Sequence, residues 1–383
     1  KRILLNNIYG VDIDPQAVEV TKLSLLLKVL EGENEQTISR QLKMFHERAL
    51  PDLGSNIKCG NSLIGPDFYE GKQLSLMDDE ERLRINVFDW KKEFKEIMDA
   101  GGFDVVIGNP PWVSLKGKFA NDIVTEAEFA YLTRRYKGDT YRPNMYEYFV
   151  KRAISLTKAH GYQSFIVPDR LGFNEQFLEL RTQLLAEGTI VSLLYKARFP
   201  GIIADTLVYV YVPGKAGKKN IVEVGEFHGT RSHVSQDRFV SFQDAQFLPV
   251  SPVVQKVYFD FDKVLPLCEL VSSNVGFIAK PKTITDKKES GAQRPVLRGR
   301  NIGRYASVGH AFFHFAKSNL AGGTQDESKL GATSKVLLRK TGYPLIATFD
   351  STGMYPEQSL YFLFDPKRGS DLRYVLGIVN SRL

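Results

Sequence analysis

The chain has 383 residues, of which 43% are hydrophobic and 25% charged, with a formal net charge of +7. This composition belongs to a globular protein large enough for two ordinary domains, and it excludes disordered, collagen-like and membrane-embedded classes. The basic balance allows a polyanionic partner without requiring one, and two distant cysteines, Cys59 and Cys268, provide neither a disulfide framework nor a metal spacing and fit a reducing, cytoplasmic setting.

From residue 8 to about 230, strand and helix patterns alternate. Residues 8–13 predict an interior strand, and Asp14-Pro15 predicts an N-cap with proline at the first helical position, opening a helix to about Leu30. Residues 56–63 predict a short strand and turn, and Asp89 is expected to cap a helix running through Phe94 and Ile97. Residues 103–108, Phe-Asp-Val-Val-Ile-Gly, predict a buried strand. A helix is expected over 145–157, with Tyr148, Phe149, Ala153 and Leu156 on one face and Gly161 just past its end. A strand at 164–167, a helix at 175–187 capped by Asn174 and closed by Gly188, and strands at 190–195 and 206–212 complete the series. The alternation predicts an α/β fold with helices on both faces of a mostly parallel sheet. Ligands of such sheets lie at the carboxyl ends of the strands, and the polar strand ends here are Asp12, Asn61 and Asn109.

The residues after the strand at 103–108 carry the most chemistry. Asn109-Pro110-Pro111-Trp112 presents an amide, a proline carbonyl and a large flat ring at one turn. The amide oxygen of Asn109 and the carbonyl of Pro110 can both accept from an exocyclic amino group on a planar ring, and Pro111 offers no N–H to compete. Two acceptors draw the nitrogen lone pair out of conjugation, and Trp112 can stack on the ring. Asp12 suits two vicinal ribose hydroxyls, whereas Asp14 suits the helix dipole. In Lys58-Cys59-Gly60-Asn61-Ser62-Leu63-Ile64, Gly60 allows close approach and Asn61 can bond an adenine edge. Residues 113–142 mix basic residues with Phe119, Phe129, Tyr131 and Tyr141; they read equally as a lid that orders on nucleic acid and as a solvated loop with a short helix.

Residues 103–112 resemble the catalytic motif of the methyltransferases that act on adenine in DNA. In that family an acidic strand end, an adenine-reading strand end and the Asn-Pro-Pro-aromatic motif follow one another, as 10–15, 60–64 and 109–112 do here. The resemblance implies a Rossmann-like methyltransferase sheet, S-adenosylmethionine as cofactor held by Asp12, Ile13, Asn61 and Leu63, and catalysis at Asn109, Pro110, Pro111 and Trp112. It implies a flipped target adenine stacked between Trp112 and Phe199, the aromatic of Ala197-Arg198-Phe199-Pro200. One departure matters: the family's Gly-rich cofactor loop precedes the acidic strand end, and nothing precedes Lys1. The expectation is therefore a fragment, whose loop and any nuclease domain lie outside this chain; Pro168-Asp169 and Pro51-Asp52 lack partner acids in the sequence.

Past residue 230 the alternation fades. Lys280, Lys282, Lys287, Lys288, Arg294, Arg298, Arg300 and Arg304 crowd one stretch. Residues 295–305, 335–342 and 379–383 resemble the target-recognition domain of Eco57I-like and TaqI-like restriction-modification enzymes. This implies a methyltransferase domain at 1–250 and a mixed α+β target-recognition domain at 251–383, incomplete at its C-terminus, where an apolar helical pattern stops without a cap. Double-stranded DNA is the expected partner, through Arg298, Arg300, Asn301, Arg304, Arg339 and Lys340. His310 and His314 read as structural or surface residues, and no metal is expected. Two other readings stay open: a protein-glutamine N-methyltransferase, since an amide nitrogen can use the same motif, and a catalytically inactive DNA-binding specificity module.

Overall fold

The computed structural model describes residues 2–31, 52–71, 79–115, 123–138, 143–198, 204–215, 217, 220–248, 265–342 and 344–381. The chain forms two compact units, 1–257 and 258–383.

In the first unit, a six-stranded sheet has the spatial order Phe103–Gly108, Thr157–Pro168, Thr206–Pro213, Gly188–Tyr195, Ile221–Glu226, Arg231–Ser235. The strands Gly10–Asp12 and Ile57–Cys59 form a separate parallel pair. The sheet is mixed and not mostly parallel as expected, because Thr206–Pro213 enters between Thr157–Pro168 and Gly188–Tyr195 and runs antiparallel to both. Parallel pairing holds between Phe103–Gly108 and Thr157–Pro168, and between Gly188–Tyr195 and Ile221–Glu226.

Local chemistry explains several helix ends. Asp14 Oδ1 accepts from the Gln16 N–H at 2.8 Å and opens Pro15–Leu30. Asp89 accepts from the Lys91 and Lys92 N–H groups and opens Trp90–Glu93, but the expected single helix breaks at Phe94 (φ −128°) and resumes as Lys95–Asp99. Met145–Leu156 is closed by Thr157, whose hydroxyl donates to the Ala153 carbonyl at 2.8 Å. The next strand therefore starts at Thr157, well ahead of Gly161 and the expected 164. Asn174 makes no side-chain cap; its carbonyl is taken at 2.8 Å by the buried Arg181, and a 3-10 turn at Glu175–Phe177 precedes Leu178–Glu187. Gly188 is extended and begins a strand rather than closing the helix in a left-handed turn.

Two strands expected to be interior are edges. Phe103–Gly108 is paired on one side only among the described residues, and Val105 and Ile107 are 54% and 75% exposed. Ile8 and Ile13, flanking Gly10–Asp12, are also exposed. The apolar sequence is real; it faces a cavity instead of a neighbouring strand. One core cluster of this unit lies further along, around Leu63, Ile64, Phe68, Leu115, Tyr131, Leu132 and Tyr148.

The second unit is built on two four-stranded sheets. One, in the order Ala347–Asp350, Lys335–Arg339, Leu360–Pro366, Val271–Val275, is antiparallel throughout. The other, in the order Ile284–Thr285, Ala311–Phe313, Arg294–Leu297, Tyr355–Pro356, is mixed. Phe277, Val296, Phe313, Leu337 and Phe362 pack in one core. The helix Leu372–Val379 packs Leu372, Val375 and Leu376 against Val271, Val336 and Leu363 in a second. This helix opens on a side-chain cap and is tied at its far end to a neighbouring strand. Asp371 accepts from the Arg373 N–H, and buried Asn380 bonds both the N–H and the carbonyl of Ala347 at 2.9 Å. This tie is hidden in the sequence because its partner lies on a strand 33 residues away.

Candidate active site

The Asp12 end of the first strand folds into a tight turn in which Asp12 Oδ1 accepts from the Asp14 N–H at 2.9 Å, leaving its second oxygen without a partner among the described residues. The Gly60 N–H donates to the Asp12 carbonyl at 2.8 Å, so the two strand ends are stitched side by side. A Cβ on Gly60 would lie 2.4 Å from the Phe88 ring, which explains glycine there. Asn61 Oδ1 accepts from the Leu63 and Ile64 N–H groups at 3.1 and 3.3 Å. Its oxygen is thus used within the turn, and only its amide nitrogen is left to meet a ligand.

Asn109 follows Phe103–Gly108 with an exposed side chain that makes no hydrogen bond among the described residues, while Pro110 beside it is buried. The Trp112 indole N–H donates to the Ile166 carbonyl at 3.4 Å, which sets the ring against the end of the neighbouring strand. Tyr9, Trp90 and Phe94 surround Phe103 with ring centroids 5.9, 5.9 and 5.6 Å away, and these aromatics tie the parallel pair to the large sheet.

The result is one cavity of about 880 Å³ whose wall contains Asp12, Ile13, Asn61, Leu63, Asn109, Pro110 and Pro111; Trp112 lies outside that wall. Seven of the eight residues expected to hold cofactor or act in catalysis thus meet. Phe199, expected to stack on the target base, lies outside the described residues.

Sequence reasoning passed over several residues of the wall. Trp90 and Arg152 both donate to the Ser62 carbonyl, at 3.1 and 3.2 Å, and so hold the turn that presents Asn61. Arg152 stands in the apolar stripe of its helix, four residues after Tyr148, and a cation in such a stripe is a legible signal. Arg84 and Glu128 form a 3.0 Å ion pair, and the same carboxylate oxygen closes a capping box with Thr125.

The stretch after the Asn109–Trp112 turn contains a longer helix than the short one expected. Residues 116–122 and 139–142, with Phe119 and Tyr141, lie outside the described part. Between them Glu126–Tyr136 is a capped helix whose aromatics turn inward: Tyr131 donates to Asp67 at 2.8 Å and Tyr136 to the Leu63 carbonyl at 2.7 Å. Burial pushes the Tyr136 phenol up to about 12. The feet of the excursion are clamped, with the Leu115 N–H donating to the Pro143 carbonyl and the Met145 N–H to that of Val113. At the neighbouring strand end, burial and then Asp205 push the Asp169 carboxyl above its usual range. Asp205 stands beside it across the antiparallel pairing, where the Asp169 N–H donates to the Asp205 carbonyl at 3.1 Å; no group of three or more His, Cys, Asp or Glu residues suited to a metal occurs among the described residues.

In the second unit the six residues expected to touch DNA divide. Asn301 is buried and accepts from the Arg298 N–H, Arg339 donates to the Gly299 and Ile302 carbonyls at 2.6 and 2.7 Å, and Arg304 donates to the Asn380 carbonyl. These three brace the unit. Arg298 and Arg300 pair with Asp286, and Lys340 is exposed with its ammonium 5.5 Å from the Tyr361 ring centre. His310 and His314 are exposed, and His310 packs edge-on against Phe312. No helix among the described residues is long and apolar enough to cross a membrane.

A Rossmann-like sheet with a ligand cavity at its polar strand ends, followed by a separate basic β-rich unit, is the arrangement of a methyltransferase with a specificity domain. The chain belongs to the Eco57I restriction-modification methylase family, which it matches over residues 6–198, and residues 294–383 match the TaqI-like C-terminal specificity domain. It is 22% identical over 515 aligned positions to a protein of Methanocaldococcus jannaschii described as a type II restriction enzyme and methyltransferase, covering 100% of this chain and 42% of that protein. It is 33% identical over 170 residues to the type II restriction enzyme and methyltransferase RM.Eco57I of Escherichia coli, covering 44% of this chain and 15% of that one. The chain thus spans less than half the length of these curated relatives. Two solved structures share its fold. They are the type IIL restriction-modification enzyme MmeI in complex with DNA (TM-score 0.51, 13% identity, 99% of this chain and 59% of that one) and a nuclease-deletion mutant of the type ISP enzyme LlaGI with a DNA substrate mimic (TM-score 0.55, 9% identity, 100% and 38%).

Proposed function

We propose that residues 1–250 transfer a methyl group from S-adenosylmethionine to N6 of an adenine flipped out of double-stranded DNA, and that residues 251–383 help choose the site. The observation that carries this reading is the shared cavity of Asp12, Asn61 and Asn109–Pro111. Its size is within the range of small-molecule sites, and its donors and acceptors suit the cofactor. Asp12 has a carboxylate oxygen without a partner among the described residues for ribose hydroxyls, Asn61 an N–H pair for an acceptor nitrogen of adenine, and Ile13 and Leu63 offer apolar surface to the ring.

The bound cofactor supplies an electrophilic methyl group on a sulfonium. The chain's own part is to place the nucleophile. The Asn109 side-chain oxygen and the Pro110 carbonyl accept from the base amino group and localise its lone pair, and these bonds strengthen as the nitrogen becomes tetrahedral. No covalent enzyme intermediate is required, and positioning carries the rate. The membership in a restriction-modification family favours DNA adenine over a protein glutamine as substrate.

Isothermal titration of S-adenosylmethionine into the chain with duplex DNA present, alongside a methylation assay, tests the reading. Asn109→Ala is expected to keep cofactor affinity and to lose about a hundredfold or more in methyl transfer. Full methylation by that variant would remove Asn109 from the chemistry. Loss of cofactor binding alone, with transfer intact at saturation, would move it to the cofactor side.

A further inference from the structure

A 560 Å³ cavity in the second unit is lined by Arg298, Arg300, Arg339, Glu357 and Ser359, among others. Beside it stands one exposed acid. Asp286 follows the strand Ile284–Thr285, and Arg298 follows Arg294–Leu297; both strands run antiparallel to Ala311–Phe313, so the two residues leave the sheet at the same end. Asp286 Oδ1 accepts from Arg298 at 2.5 Å and also from Arg300.

The backbone under the arginines is fixed. The Arg298 N–H donates to buried Asn301, the Gly299 N–H donates to Ser359 Oγ at 2.8 Å, and Arg339 holds the carbonyls of Gly299 and Ile302. Glu357 in the cavity floor already accepts from the Ser359 N–H and hydroxyl. Arg298 Nε is buried and has no partner among the described residues.

We propose that Asp286 is a positioning residue that makes Arg298 and Arg300 readers of base edges, with guanine O6 and N7 as their target, rather than neutralisers of phosphate; this rests on the second unit being a DNA reader. Two physical arguments support the division. A guanidinium held at one Nη by a carboxylate, on a backbone that is itself fixed, has its remaining donors biased toward one orientation, which bidentate base reading needs and a phosphate contact does not. Two arginines sharing one acid also carry a net charge of only one, so they release fewer counterions than two free cations. Lys280, Lys282, Lys287 and Lys288 are exposed and have no ion pair among the described residues, so the nearby phosphate neutralisers are those lysines.

The test is methylation of a randomised duplex pool by the full chain in its active form, with the modified sequences read out, and DNA binding measured over a salt series. Asp286→Asn is expected to relax one or two positions of the methylated sequence from guanine to mixed bases, a loss of about tenfold in discrimination. Binding to unrelated duplex should tighten, with a salt slope steeper by about one. Asp286→Glu should restore most of the discrimination. Lys287→Gln with Lys288→Gln should weaken binding to every sequence alike and leave the methylated sequence unchanged. An unchanged sequence preference in Asp286→Asn, with or without tighter binding, overturns the positioning role. If Arg300→Ala also leaves preference and affinity untouched, the reading of this unit as the DNA reader falls as well. If Arg300→Ala relaxes the preference and Asp286→Asn does not, only the role of Asp286 is lost.

Discussion

At the scale of single residues, the cavity depends on side chains that hold its own backbone in place. Asn61 has spent its oxygen on its own turn, and that turn is held from behind by Trp90 and Arg152 at the Ser62 carbonyl. Arg152→Met keeps the length of the side chain and removes the donor. The expected result is a roughly tenfold weaker S-adenosylmethionine affinity, the cost of about one hydrogen bond to a charged group, with the turnover rate at saturating cofactor little changed. A fall in turnover with unchanged affinity would place Arg152 in the chemistry instead. Asp12, Asn61 and Asn109 were legible because a polar residue ending an apolar strand is conspicuous, and sheets gather such ends at one rim. Trp90 was legible only as the start of a helix. Its second role depends on a contact with Ser62 that no local pattern announces.

At the scale of elements, the hairpin of Lys335–Arg339 and Ala347–Asp350 contains a fully buried ion pair. Lys335 and Asp350 are register partners, 0% and 2% exposed, with nitrogen and oxygen 2.9 Å apart. Lys335 also donates to the Leu330 and Ala332 carbonyls, and Asp350 Oδ1 accepts from the Thr352 N–H and hydroxyl. Burial lowers the Lys335 pKa, and Asp350 opposes that shift. Removing one partner strands the other, so Lys335→Met is expected to destabilise the second unit by about 3–5 kcal/mol in denaturant unfolding, and Lys335→Met with Asp350→Leu to recover most of it. A single variant as stable as the parent would show that water reaches Asp350. A lysine heading the apolar run Val336-Leu337-Leu338 reads as a surface charge, and only its cross-strand neighbour explains its burial. The long-range choice of sheet neighbours was equally hidden. Gly188–Tyr195 follows Thr157–Pro168 in the chain, but Thr206–Pro213 pairs between them.

At the scale of the whole molecule, the first unit concentrates buried phenols. Tyr136 is pushed up to about 12 by burial, and Tyr146, Tyr195, Tyr209 and Tyr211 are raised further, also chiefly by burial. An unfolded tyrosine releases its proton near pH 10, so above that pH the folded chain holds protons that the unfolded chain has lost. The stability these phenols contribute is whole below about pH 10 and drains away as pH rises through their folded values. Tyr136 alone accounts for roughly 2–3 kcal/mol by about pH 12. Phenolate absorbance is expected to lag in the folded chain and to appear together with loss of circular dichroism, whereas reversible titration of every tyrosine near pH 10 with the fold intact would refute this. The clamped feet at Leu115 and Pro143 have a counterpart at Lys196 and Ala197, which bond the carbonyl and hydroxyl of Thr206. At each pair, backbone or hydroxyl hydrogen bonds hold together the two ends of the intervening segment. Lengthening a segment between such feet costs only about 0.6 kcal/mol per doubling of its length. Length added between the feet but outside Glu126–Tyr136, whose Glu128 lines the cavity, is therefore expected to leave the strand ends and Asn109 where they are.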